Sequence, residues 1–392
     1  LLSGVVTSVM APSPLRSLIV DGILGGVGGV LIFLPNILIL FFGISILEDT
    51  GYMARIAFIM DKLMHRIGLH GKSFIPLIMG VGCNVPAIMA ARTLESNRDR
   101  ILTILIAPLI TCSARLPVYI LFAGAFFPEH AGNVIFILYF FSFFFAFLMG
   151  FIFRKTLFRG EEHPFVMELP PYRIPTAKSA VIHMWEKAKH YLQKMGGVVL
   201  VFSIIIWFLS NYPATPELDR EHRQDITKIE RSIEQADSAD ERGEAIRRLN
   251  EENRTYHREM MKNTYIGYTG RFIEPLITPL GFDWRMGVSL VTGFVAKEVV
   301  VSTLGVLYTV GGDADEESSE LQGALRRAYT PLTGLAFLFF VMLYTPCIVA
   351  LVTVIREIQS WKWSTFSVVY QILLAWLVAF LVRWGGILIG FS

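Results

Sequence analysis

Three cysteines, each within five residues of a proline, are the first features of this 392-residue chain whose types and spacing suggest chemistry. Cys83 lies in PLIMGVGCNVPAIM ahead of Pro86, Cys112 in APLITCSARLP between Pro108 and Pro117, and Cys347 in MLYTPCIVAL directly after Pro346. Proline removes an amide donor and blocks the carbonyl four residues back, so it frees backbone oxygens inside an apolar segment. In lipid such groups persist only where they line a cavity or meet other protein. A thiol beside such a break lets a cation meet sulfur and carbonyl oxygen together, a donor set that suits softer first-row metals better than Mg²⁺ or Ca²⁺. A single apolar cysteine reads as a packing residue. Three of three beside helix breakers read as a metal path. Asn84, Ser113 and Thr345 flank the cysteines and either add oxygen ligands or bond to backbone.

Charges inside otherwise uncharged segments are the second feature. Arg115 interrupts Ile101–Pro128, and Lys297 with Glu298 interrupts Met286–Gly312. Each costs about 2.5–3.5 kcal/mol at mid-membrane, so each should face the interior and be paired. Adjacent helical residues point about 100° apart, so Lys297 and Glu298 need partners on other spans. Glu48 and Asp49, closing the first apolar segment, are the acidic candidates for pairing with Arg115 or for capturing a cation.

These residues must be positioned by membrane helices. The chain is 53% hydrophobic and 17% charged, and 23 of its 68 Asp, Glu, Lys and Arg residues fall between Glu217 and Lys262. Soluble domains carry roughly 25% charged residues. Eight segments have the ~20 apolar residues that a spanning helix needs. They are Gly22–Leu47, Ser73–Ala91, Ile101–Pro128, Ala131–Phe153, Met195–Pro216, Met286–Gly312, Ala328–Ile355 and Trp363–Val382. The fold class expected is all-α, a polytopic helical membrane protein of about eight spans in contact with membrane lipids. A net charge of +2 and the absence of a long basic run exclude a nucleic-acid partner on electrostatic grounds. Three cysteines are too few for a disulfide framework. Glu217–Lys262 has good helix formers, no proline and a turn-like DSADERG, which predicts an extramembranous helical hairpin acting as a solvated spacer.

Lys and Arg follow Ala131–Phe153 densely, from Arg154 to Lys194, which places that end in the cytoplasm and, counting back, the N-terminus there as well. Arg55, Lys62, Arg66 and Lys72 then fall on the outer side, a conflict that eases if Tyr52–Ile67 is a re-entrant or interfacial helix. Leu1–Val20 resembles neither a native start nor a signal peptide, so the chain reads as a fragment of something longer.

The halves repeat. GYMAR at Gly51–Arg55 returns as GYTGR at Gly267–Arg271, each followed by an amphipathic stretch and then Gly68 or Gly281. GVGCNVPAIMAARTL at Gly80–Leu94 lies opposite GFVAKEVVVSTLGVL at Gly293–Leu307, and LITCSARLP at Leu109–Pro117 opposite LYTPCIVAL at Leu343–Leu351. The division is therefore residues 1–160 as a first gate repeat, 161–194 as a basic cytoplasmic connector, and 195–392 as a second gate repeat carrying 217–262 as its insertion. Duplicated, Gly/Pro-interrupted spans mark a secondary transporter with substrate between the repeats. Four spans separate matching points, which gives parallel repeats; an inverted pair requires one segment to be re-entrant.

GLHGKS at Gly68–Ser73 is no P-loop, because Arg66 stands where the first glycine is required and no strand precedes it. No catalytic triad and no HExxH pattern are present, so the chain itself reads as neither an enzyme nor a nucleotide binder. The run from Phe33 to Tyr119, with GCNVP and CSARLP, closely resembles the first gate module of the FeoB family of prokaryotic ferrous iron transporters; LGFDWRMGVSLVTGFVAKEVVVSTLGVLY resembles the second. The resemblance implies Fe²⁺ as the transported substrate, a multi-pass protein of the bacterial plasma membrane, and Cys83, Cys112 and Cys347 as the iron path. It matches the LED pair to Glu48 and Asp49 and the AKE glutamate to Glu298. It also implies a cytoplasmic G domain missing from this chain, a small SH3-like FeoA-type partner and a possible homo-oligomer. Two other readings stay open: an organic-solute carrier of the nucleoside type, which uses similar gate modules, and a receptor or scaffold working through Glu217–Lys262.

Overall fold

In lipid the backbone must satisfy its own polar groups, so long apolar runs fold as helix. The structure is a computed structural model and describes residues 14–66, 68–158, 172, 176–213, 216–234, 239–308, 315–345 and 347–390. Pro346, the basic residues Arg159 and Arg173, and residues 235–238 of the charged block lie outside the described residues. Among the described residues every regular element is helical. After a helical lead-in these are α1 (Gly25–Asp49), α2 (Tyr52–Arg66), α3 (Phe74–Gly82), α4 (Asn84–Ala90), α5 (Asn97–Ile106), α6 (Leu116–Phe126), α7 (Ala131–Thr156) and α8 (Ala177–Asn211). Then follow α9 (Pro216–Glu234), α10 (Ala239–Asn263), α11 (Tyr265–Ile277), α12 (Trp284–Val295), α13 (Val299–Leu307), α14 (Ser319–Ala328), α15 (Pro331–Leu343), α16 (Ile348–Ile358) and α17 (Trp361–Ile389).

Four stretches are long and apolar enough to cross a membrane, namely Asn97–Phe126, Pro128–Thr156, Pro331–Ile358 and Trp361–Ile389, or five with the bent pair α1–α2. The protein is a multi-pass helical membrane protein. Of the eight apolar segments expected, two are broken into short helices that fold back, and Met195–Pro216 takes the form of the shorter apolar helix Gly196–Asn211. Lys72 Nζ, just before α3, meets Glu95 Oε1, just after α4, at 2.8 Å. The segment Ser73–Ala91 therefore enters and leaves at one end and is re-entrant. In the second half, Tyr329 donates to Asp283 Oδ1 at 2.5 Å and Tyr308 donates to Tyr329, so the start of α12 and the end of α13 also share an end. Thr292 and Thr303 hydroxyls join the two arms of that hairpin at 3.0 Å. The first half thereby contains the re-entrant segment that an inverted repeat requires.

The repeat is legible in the backbone itself. Cys83 sits at φ −153°, ψ 132° between α3 and α4, and its counterpart Ala296 at φ −146°, ψ 128° after α12. Gly68 and Gly281 both take left-handed φ, +77° and +82°. A Cβ at Gly68 would collide with the Arg154 side chain, and one at Gly281 with the Arg383 guanidinium. Gly68→Ala should therefore cost about 2 kcal/mol, read as a lower thermal midpoint in detergent, since φ strain alone is about 1–2 kcal/mol. A midpoint equal to the parent would show that the turn relaxes freely.

Two compact units each draw on both halves. Unit 1 comprises Leu1–Leu116, Ile135–Ile204 and Phe339–Leu377; unit 2 comprises Pro117–Val134, Ile205–Leu338 and Val378–Ser392. In unit 1, α2 leaves α1 at 80° after Gly51, burying Ala57 and Met64 while Phe58, Ile59 and Leu63 stay exposed, as expected of an interfacial helix. In unit 2, α9 and α10 pack against each other, with His222 stacked on Tyr256 at 3.8 Å between ring centroids and a Glu244–Arg248 ion pair of 2.7 Å along α10.

Candidate functional site

Three backbone breaks meet in unit 1. The first is the hairpin tip Gly82–Cys83–Asn84, where Pro86 sits in the first turn of α4 and so forfeits no helical hydrogen bond. The second runs from Ile110 to Arg115: Pro108 sits in the short turn Ala107–Leu109 after α5, Cys112 is extended at φ −92°, ψ 162°, and Pro117 lies in the first turn of α6. The third involves Tyr344, Thr345 and Cys347, with Cys347 at φ −55°, ψ 158° before α16. Ser113 Oγ donates to the Gly82 carbonyl at 2.9 Å, joining the first two.

Arg115 joins the second and third. It is fully buried and donates to the carbonyls of Pro108 (3.3 Å), Ile110 (3.4 Å) and Tyr344 (3.2 Å). Ile110 and Tyr344 are counterparts in the repeat, so one guanidinium holds the same oxygen of both halves. Its planar fork of five donors suits this task, and a single ammonium does not. Among the described residues no carboxylate lies within ion-pair reach of it. That corrects the expected pairing with Glu48 or Asp49. Glu48 is exposed and meets Lys187 Nζ of α8 at 2.6 Å. The end of α1 therefore lies at the same end of unit 1 as the basic connector, where Arg154 also approaches Asp99 at 3.6 Å and Arg55 stacks on Tyr172.

The cysteines differ in access: Cys112 is buried, while Cys83 and Cys347 are partly exposed. Asn84 and Thr345 are buried, Ser113 is exposed. Lys297 and Glu298 belong to unit 2, at the Ala296 break; Lys297 is 1% exposed and Glu298 partly buried. Among the described residues no group of three or more His, Cys, Asp or Glu side chains gathers into a metal cage. The donors at the three breaks in unit 1 are instead thiols, an amide, hydroxyls and carbonyls.

Two supports escaped the sequence reading. Arg92, at the end of the re-entrant hairpin, forms a two-pronged ion pair with Glu357 at the end of α16, and that carboxylate raises the Arg92 pKa further. Opposite charges at the ends of two apolar segments were the available signal. Tyr370 of α17 donates to the Leu105 carbonyl of α5, one turn before Pro108; a lone tyrosine in an apolar run carries no such signal.

A family profile described as "Gate: Nucleoside recognition" matches residues 30–126 and 192–361, which include both hairpins and all three breaks of unit 1. A second, "Ferrous iron transport protein B C terminus", matches residues 135–187. The chain belongs to the FeoB family of Gate proteins. It is 52% identical to a "Fe(2+) transport protein A/Fe(2+) transporter FeoB fusion protein" of Porphyromonas gingivalis, over 99% of this chain and 46% of that protein. It is 42% identical to a "Fe(2+) transporter FeoB" of Helicobacter pylori, over 97% of this chain and 59% of that one. A Methanocaldococcus jannaschii protein of the same name is 40% identical over 97% of this chain and 51% of its own length. The chain spans about half the length of these curated relatives. No solved structure matches it.

Proposed function

We propose that this chain forms the membrane-spanning path by which a FeoB-type transporter carries Fe²⁺ into the bacterial cytoplasm. The observation that carries this reading is the meeting of three broken helices in unit 1, two with partly exposed thiols and all with extended backbone, in a family whose relatives are named Fe(2+) transporters. Fe²⁺ exchanges hydration water for thiol and carbonyl ligands at Cys83, Cys112 and Cys347. Conduction needs sites that bind well enough to admit an ion and weakly enough to release it.

The end of unit 1 bearing Lys72, Arg154 and Lys187 faces the cytoplasm of the plasma membrane by the positive-inside rule. The re-entrant hairpin removes one crossing from the count. Hence Glu48 and Asp49 sit at the cytoplasmic exit rather than the outer mouth, and α1 begins outside. Glu298 serves the matching break of unit 2. The remaining half of the longer protein carries the G domain that binds GTP and biases the gates, and a FeoA-type protein assists; the Porphyromonas gingivalis fusion supports that partnership. The chain alone performs no catalysis.

The profile's description, nucleoside recognition, favours the second reading of an organic-solute carrier. Uptake into proteoliposomes separates them. Anaerobic Fe²⁺ should enter above protein-free vesicles, be slowed by Mn²⁺ or Co²⁺, and be indifferent to nucleosides. Vesicles that take up a nucleoside but no Fe²⁺ would replace the iron reading with the second.

A further inference from the structure

The tip of the re-entrant hairpin in unit 1 carries a polar group that the surrounding protein leaves unsatisfied. Asn84, the residue after the Cys83 break, is 3% exposed, yet neither Oδ1 nor Nδ2 has a hydrogen-bond partner. It is the sole side chain among the described residues with both of its polar atoms so placed. Two other buried polar side chains of unit 1 are satisfied within the protein: Thr353 donates to the Val349 carbonyl one turn back, and Thr103 to Ser73 Oγ. An asparagine kept for architecture bonds to backbone, because a buried amide without partners costs stability.

Space for this carboxamide is built in. A Cβ at Gly80, one turn earlier on α3, would stand 3.3 Å from Asn84 Oδ1 and 3.4 Å from Ile110 Cβ. Oδ1 therefore lies beside the second break, whose Ile110 carbonyl is held by Arg115. One neighbour in sequence is the thiol of Cys83, and the Gly82 carbonyl is fixed by Ser113.

We propose that Asn84 Oδ1 is a direct ligand of the divalent cation in passage and sets the preference for Fe²⁺ over Zn²⁺. This rests on the iron-transport reading. A neutral, hard oxygen between thiol-bearing breaks favours the mixed O/S shell that Fe²⁺ accepts, and disfavours Zn²⁺, which prefers nitrogen and sulfur in a closed tetrahedron. Being uncharged, it binds without trapping.

The test uses the full protein in proteoliposomes, with thermal midpoints measured in parallel. Asn84→Leu keeps the branched outline of the side chain, with methyl groups in place of the oxygen and the amino group, and removes both unsatisfied atoms. Its midpoint should match or exceed the parent's, while KM for Fe²⁺ rises about tenfold and the Fe²⁺/Zn²⁺ preference shrinks. Asn84→Asp should lower KM and slow turnover, because a carboxylate holds the ion longer. Parental KM and preference in Asn84→Leu, or transport lost in step with a fall in midpoint, would overturn the proposal. Should wild-type vesicles admit no Fe²⁺, the transport reading falls and Asn84 is judged on Co²⁺ alone. A Co²⁺-induced rise in midpoint present in wild type and lost in Asn84→Leu supports it; the same shift in both, or none in either, overturns it.

Discussion

Arg115→Leu should lower stability by about 3 kcal/mol and abolish uptake, because it strips the shared donor from three buried carbonyls. Hydrogen bonds from charged donors contribute about 1.5–3 kcal/mol each, but these are 3.2–3.4 Å long and the variant also removes a buried charge, so the low end applies. Arg115→Lys discriminates between charge and geometry. It keeps the positive charge but cannot span Pro108, Ile110 and Tyr344 together, so it should recover less than half of the loss. Thermal midpoints of the three proteins decide the matter. An Arg115→Leu midpoint equal to wild type would sink the idea that this guanidinium joins the breaks.

The second large effect is expected from Cys83→Ser, Cys112→Ser and Cys347→Ser combined. Serine keeps the size of cysteine and replaces a soft sulfur by a hard hydroxyl, so folding should persist while metal preference changes. Fe²⁺ uptake should fall by more than about tenfold, and Mn²⁺, which prefers oxygen, should lose much less. Cys112 is buried and Cys83 and Cys347 are partly exposed, so the single variants at the latter two should show most of the effect. Unchanged Fe²⁺ uptake in the triple variant would remove the thiols from the path.

Much of this is legible in the sequence, and the residues say why. Pro86 and Pro117 sit in the first turns of α4 and α6, where a proline cannot continue a helix from the N-terminal side, so the breaks beside Cys83 and Cys112 follow from sequence. Gly68 and Gly281 mark left-handed turns for the same local reason. Which apolar runs fold back on themselves was not legible. An apolar run of 19 residues, Ser73–Ala91, has the length of a span, and only the Lys72–Glu95 contact reveals that it folds back. With both ends of the hairpin on one side, Glu48 meets Lys187 and Arg55 stacks on Tyr172 at the same end of unit 1.

Sequence by itself determined the solvent, the helical class, the repeat and the family, because these depend on composition, on period and on motifs contiguous along the chain. Tertiary structure alone decided which breaks meet. Arg115 finds Tyr344 at 229 residues' separation, Arg92 finds Glu357 at 265, and Asn84 is left without a partner. The reason is that a buried polar group must be satisfied by whatever packs against it, and the identity of that neighbour is a property of the fold rather than of any stretch of chain.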